Sequence, residues 1–195
     1  MPKLGMEPIR RDALIKATIA EIGAVGSLDV TVSRIAKRAG MSSALAHHYF
    51  GSKEAMFLAA MRHVLSVYAA EVRGALAAAD GPKGRVAAVV RASFAASSFR
   101  REAIGAWLNF YVLAQRAPEA RRLLDVYQRR LHANLVHALR PMAGAAAPEI
   151  AAGAAAMIDG AYIREALGRD TPDGAAAAAL VEGHIDTMLT RHDRS

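Results

Sequence analysis

Cysteine is absent from the 195 residues. That absence excludes disulfide scaffolds, thiolate zinc sites, iron–sulfur sites and cysteine nucleophiles. Aromatics are scarce: one Trp, five Tyr and five Phe, too few to suggest an all-β protein. No apolar run approaches the ~18 residues that span a bilayer, and residues 1–7 have no apolar core of a secretory signal. The expectation is a soluble, cytoplasmic chain with no membrane partner. Catalytic signatures are missing too, with no His-Glu-x-x-His, Gly-x-Ser-x-Gly or phosphate-cradling glycine loop. His132 and His137 are five apart and share no helix face, and the adjacent His47 and His48 point apart. The reading is no enzyme, no metal site and no cofactor.

What is present is alanine, 45 residues of it, within a hydrophobic fraction of 53%. Alanine is the strongest helix former, and that apolar fraction is too high for a disordered chain. The length suits one large domain or two small ones with a real core. The net charge of +7 points to a polyanion, and its distribution narrows that. Residues 1–53 hold eight Lys or Arg against four Asp or Glu. A small basic head, 1–53, is expected to precede an alanine-rich helical body, 54–195.

Pro8 suits the start of a first helix. Its inner face would be Leu14, Ala17, Thr18, Ile22 and Val25, with Gly26 as a left-handed stop. Thr31 caps a second, short helix whose inner stripe is Val32, Ile35, Ala36 and Ala39. Gly40 closes it. Ser42 caps a third helix through about Tyr49, and Ser52 caps a long fourth one towards Asp80. Further helices are read at 83–99, 101–116, 119–139, 149–167 and 174–190, with Pro82, Pro118, Pro141, Pro148 and Pro172 in the breaks between them. The fold class is all-α.

Residues 31–53 carry the function. Two short helices joined by a tight turn make a helix-turn-helix. Ala36 is small where the helices cross, Gly40 supplies positive φ in the turn, and Met41 and Leu45 fill the angle between the helices. The second helix of such a unit offers its N-terminal side chains to base edges in the major groove. Here those are Ser42, Ser43, Ala44, His47 and His48, able to hydrogen-bond bases or touch a thymine methyl. Thr31, Ser33, Arg34, Tyr49 and Lys53 are placed to hold phosphates, with Arg10 and Arg11 towards the flanking backbone. Phe50 reads as core, and Lys37 and Arg38 as a solvated face. A helical adaptor that binds only protein is the competing reading of the same pattern.

The run Thr31-Val-Ser-Arg-Ile-Ala-Lys-Arg-Ala-Gly-Met-Ser, followed by His48-Tyr-Phe-Gly-Ser-Lys-Glu-Ala-Met, resembles the TetR family of bacterial repressors. The resemblance implies a three-helix DNA-binding head and a body of about six helices that binds a ligand and dimerises. Met1-Pro-Lys-Leu-Gly-Met-Glu-Pro-Ile-Arg-Arg, Ala106-Trp-Leu-Asn-Phe, Arg129-Arg-Leu-His-Ala-Asn-Leu and Asp159-Gly-Ala-Tyr-Ile-Arg-Glu-Ala-Leu resemble the BetI-type branch. That branch represses genes that convert choline to glycine betaine and is relieved by choline. The third helix, Ser43-Ala-Leu-Ala-His-His, departs from the Gly-Ile-Ile-Ser-His type of that branch, and 80–99 departs as well. Operator and ligand therefore stay open, and a TetR-type regulator answering to a drug or another hydrophobic molecule is the alternative.

A quaternary ammonium ligand needs aromatic faces. The expected ligand contacts are Trp107, Phe110, Tyr111, Tyr127 and Tyr162, with Asn109 for a hydroxyl and Asp125, Asp159 or Glu102 as a counter-charge. Rings at helical spacing in a helical body otherwise serve the core. The resemblance implies a homodimer through 149–167 and 174–190, where Ala151, Ala155, Gly160, Ala175 and Ala179 would permit close approach.

Overall fold

The computed structural model describes residues 5–97, 99–168 and 170–192. Residues 1–4, including Lys3 and the opening of the BetI-type motif, lie outside them. The described residues form nine α-helices and one short 3₁₀ turn: α1 (Met6–Val25), α2 (Val32–Arg38), α3 (Ser43–Phe50), α4 (Lys53–Ala77), α5 (Gly81–Ser93), α6 (Arg101–Arg116), α7 (Pro118–Ala143), the turn Gly144–Ala146, α8 (Ala147–Leu167) and α9 (Gly174–His192). No strand occurs among them, so the all-helical expectation holds.

The chain divides into two compact units, Met1–Val64 with Glu102–Leu123, and Leu65–Arg101 with Leu124–Ser195. The first has a core that includes Leu14, Ile22, Ile35, Ala46, Met56, Met61, Ile104 and Phe110, all essentially without solvent contact. The second packs Val89, Val90, Leu131, Leu135, Leu139, Ile158 and Ile185 in the same way.

Local sequence explains several helix ends in the head. Gly26 adopts φ 70° and its N–H closes on the Ile22 carbonyl, a left-handed stop that a side chain would strain. The hydroxyl of Thr31 accepts the Arg34 N–H at 3.2 Å, that of Ser42 accepts the Leu45 N–H at 3.2 Å, and that of Ser52 accepts the Ala55 N–H at 3.1 Å. Each satisfies one of the orphan donors of a first turn.

Several expectations fail. The helix read at 83–99 stops at Ser93, where Phe94 leaves helical geometry with φ −113°. Phe94 and Phe99 are both buried and their rings meet edge to face at 5.0 Å. Residues five apart lie on different helix faces, so the chain turns to bury both. Pro141 does not break α7 but sits within its last turns. Its missing N–H forgoes one i→i−4 bond, but only two further residues continue the helix, and the stop comes at Gly144, with φ 48°. Pro82, Pro118 and Pro148 lie in the first turns of α5, α7 and α8 rather than between helices. Val25, placed on the inner face of α1, is exposed. Phe50, read as core, is only half-buried. Among the described residues one helix, α4, is long and apolar enough to cross a membrane by length and composition alone. Arg62 and His63 break its apolar stretch, and Met56, Phe57, Ala60, Met61 and Val72 are buried in the protein.

Candidate nucleic-acid interface and small-molecule site

The head is built around α3. After α2, Gly40 turns with φ 68° and the Met41 N–H closes on the Ala36 carbonyl at 2.8 Å. Ala36 and Ala46 are buried where the two helices meet, while Met41 and Leu45 are half-buried beside them. That seating leaves Ser42, Ala44, His47 and His48 exposed, with Ser43 partly covered. At the far end the Gly51 N–H closes on the His47 carbonyl at 2.7 Å, and His47 Nδ1 lies 3.3 Å from the Gly51 carbonyl. Thr31, Ser33 and Arg34 are exposed at the start of α2.

Helix α1 holds α3 in place through charge. Arg11 donates to the Tyr49 carbonyl at 2.5 Å, and its guanidinium lies 4.6 Å from the centre of the Phe50 ring. A cation at a helix C-terminus completes the last carbonyls and suits the dipole. Arg10 reaches the Tyr49 hydroxyl at 3.4 Å. Both arginines thus bind within the head. Lys53 donates to the Leu28 carbonyl at 3.3 Å and lies 5.5 Å from the Phe57 ring, which fixes its ammonium beside the α1–α2 loop.

One group in the head escaped the sequence reading. The Glu21 side chain, 7% exposed, takes Arg38 at 2.5 Å and Arg34 at 3.1 Å. The hydrogen bond from Arg38 foremost, then the charge of both arginines, holds its carboxyl below the usual carboxylate range. Arg38 is therefore tied to α1 rather than part of a freely solvated face. The only sequence signal was an acid on the inner face of α1, at the position before Ile22.

The sequence-selected ligand residues fall into two groups. Trp107, Asn109, Phe110 and Tyr111 lie on α6 in the first unit. Trp107 Nε1 donates to the Tyr111 hydroxyl at 3.2 Å, with the rings edge to face, and Asn109 donates to the Gly105 carbonyl at 2.9 Å. Tyr127 and Tyr162 lie in the second unit. Tyr127 donates to Asp159 Oδ1 at 3.3 Å and meets the ring of Tyr68 edge to face at 5.4 Å. Tyr162 donates to the Ser93 carbonyl at 2.5 Å and packs against Phe94 and Phe99. Of the three carboxylates weighed from sequence, Asp159 is the one bonded to an aromatic hydroxyl. Glu102 is exposed at the start of α6, and the Asp125 carbonyl accepts Arg129.

A groove of about 360 Å³ opens in the second unit between α4 and α7, within the ordinary range of small-molecule sites. Tyr68 and Tyr127 form its aromatic part, Leu65, Val72, Leu76 and Val126 its apolar part, and Arg73, Arg130 and Asn134 its polar part. Tyr68 faces Ser93 Oγ at 3.4 Å, and burial pushes its hydroxyl up to about 12. Burial raises Tyr162 as well. Neither ionises near neutral pH, so both hydroxyls act as neutral hydrogen-bonding groups. Tyr68, on α4, is not among the ligand contacts expected from sequence. Its spacing from Leu65, Val72 and Leu76 marks one face of α4.

Known proteins agree with this architecture. Residues 14–60 match the description "Bacterial regulatory proteins, tetR family", and residues 82–190 match "BetI-type transcriptional repressor, C-terminal". The HTH-type transcriptional regulator BetI of Brucella suis biovar 1 (strain 1330) is 53% identical over 191 residues, covering 97% of this chain and 96% of the relative. That of Agrobacterium fabrum is 50% identical, covering 97% and 92%. A crystal structure of a transcriptional regulator from Pseudomonas aeruginosa PAO1 superposes with a TM-score of 0.81 at 26% identity, covering 98% of this chain and 96% of that one. A regulator from Saccharomonospora viridis, solved in complex with choline, superposes with a TM-score of 0.74 at 19% identity, covering 92% and 95%; at that identity the likeness is one of fold. A basic helix-turn-helix head, an all-helical body and relatives along nearly the whole chain lead to one conclusion: the chain belongs to the TetR family of transcriptional regulators, in its BetI-type branch.

Proposed function

We propose that the chain is a homodimeric repressor whose head, 1–53, reads an operator and whose body, 54–195, releases it on binding choline or a related quaternary ammonium. The observation that carries the reading is the seating of α3. It is capped by Ser42 at one end and by Arg11 at the other, and it turns Ser42, Ala44, His47 and His48 to solvent. A helix held this rigidly with a short polar face suits base readout. Thr31, Ser33, Arg34, Tyr49 and Lys53 supply phosphate contacts that set register.

For the ligand, Tyr68 and Tyr127 offer ring faces to a cation, and Asp159 adds negative charge through the Tyr127 hydroxyl. The choline complex of the Saccharomonospora viridis regulator supports the same ligand class here. On α8 and α9, Ile163, Leu167 and Leu180 are apolar and exposed, as are Ala175 and Ala179. They suit a partner subunit, and two-fold pairing matches a palindromic operator. Ala151 is fully buried within its own chain, so it is not part of that face. Helix α4 begins at Lys53 of the head and continues past Tyr68 of the groove. A ligand that favours one position of α4 changes the separation of the two reading helices, provided it binds the two states unequally.

Selection of DNA fragments from the source genome tests the reading. Fragments retained by the protein and released by choline support it. Retention with no release by any quaternary ammonium leaves a repressor for another ligand, such as a hydrophobic drug.

A further inference from the structure

The groove between α4 and α7 has a charge pattern that a simple cation does not satisfy. Arg73 from one wall and Arg130 from the other line it together with Asn134, and none of its lining residues is acidic. Both arginines are exposed, and among the described residues neither takes a carboxylate partner. Two guanidinium groups on different helices thus line one groove with no carboxylate among its lining residues. Asp159, the carboxylate bonded to a groove tyrosine, accepts the Tyr127 hydroxyl at 3.3 Å. A ligand carrying only positive charge gains the Tyr68 and Tyr127 faces but meets two like charges at the same opening. A ligand with an anionic group gains both.

We propose that the α4–α7 groove is a site for a zwitterion. Its trialkylammonium end packs against Tyr68 and Tyr127, and its carboxylate or phosphate end is bound by Arg73 and Arg130, with Asn134 as a further donor. Guanidinium groups suit this task because they bind carboxylate and phosphate through paired N–H donors. The groove, at about 360 Å³, leaves room beyond the trialkylammonium group for such an extension. The inference rests on the ligand-binding reading of the body and narrows its ligand class.

The test is calorimetric titration of the full-length protein with choline, trimethylglycine and phosphocholine, which share one ammonium group and differ at the other end. At least one zwitterion is expected to bind about tenfold tighter than choline or better, a modest return for charge-assisted hydrogen bonds. Its margin is expected to disappear in Arg73→Gln and Arg130→Gln, while choline binding holds or improves. Both side chains are exposed, and circular dichroism checks that the variants fold. Which zwitterion wins identifies the anionic group as carboxylate or phosphate. Choline binding as well as both zwitterions, or a margin that survives in both variants, overturns the proposal while leaving choline-driven operator release intact. Failure of all three probes to bind overturns it together with the ligand reading.

Discussion

Gly23 on α1 lies backbone to backbone against Gly105 on α6: a methyl group added at Gly105 would stand 3.3 Å from the Gly23 Cα. One added at Gly23 would overlap the carbonyl oxygen of Glu102. Two helices of the first unit therefore meet without side chains between them. The contact explains why a helix formed from good helix residues keeps glycine at these positions, despite the ordinary cost of about 0.5–1 kcal/mol relative to alanine.

Gly23→Ala is expected to destabilise the first unit by about 1–3 kcal/mol, the range for overpacking. Gly105→Ala should cost less. Gly74→Ala on α4, where an added methyl has nothing within 4 Å, should instead stabilise by up to about 1 kcal/mol. Urea denaturation of the three variants decides it, and a gain from Gly23→Ala would show that the crossing is looser than described.

Acid should weaken the head through Glu21. Its folded carboxyl titrates below the ordinary value of 4.5 because Arg38 and Arg34 bind the anion. The contribution is therefore present above that ordinary value and is lost as pH falls through the lower folded value. Glu21→Gln should flatten the acid limb of the melting curve and cost about 1–2 kcal/mol at neutral pH, since both arginines are half-exposed and rehydrate. Melting temperatures of both proteins across the acid range check the sign.

Alkali should weaken the second unit through Tyr68. The folded hydroxyl is pushed up to about 12, against an ordinary value of 10. Stability is intact below about pH 10, then declines towards the folded value as the unfolded chain ionises and the folded one does not. Tyr68→Phe should remove that part of the alkaline decline. An unchanged slope would mean that the ring is wetter than its setting implies.

In the head, the division of labour is measurable. Tyr49→Ala should weaken operator and random DNA alike and lower the salt slope by about one. Lys53→Ala should do the same and also lower the melting temperature, because its ammonium holds the Leu28 carbonyl. His47→Ala should relax sequence preference and leave the salt slope alone. Identical behaviour of the two kinds of variant in anisotropy titrations would contradict the split into positioning and reading groups.

What the sequence disclosed was mostly local. Gly26, Gly40, Thr31, Ser42 and Ser52 each act within a turn of their own position, so helix ends in the head could be read from neighbours. The end of α5 could not, because burial of Phe94 and Phe99 beside Tyr162 depends on α8. Pro141 reads as a break, yet α7 continues for two residues beyond it before Gly144 stops the helix. The site divides the same way. The exposed face of α3 follows from helical periodicity, whereas Glu21 meeting Arg34 and Arg38 is a tertiary pairing between α1 and α2. The groove required knowing that Tyr68 of α4 faces Tyr127 of α7, which periodicity places on helix faces but cannot match to each other.

The central claim is a DNA-bound state that a ligand of the quaternary ammonium class reverses. The most direct measurement is operator affinity by fluorescence anisotropy, at fixed ionic strength, with and without saturating choline. The account predicts a loss of affinity between about fivefold and a hundredfold, the size of typical coupling between sites. Operator affinity unchanged at saturating choline, and equally unchanged at saturating trimethylglycine and phosphocholine, would contradict it.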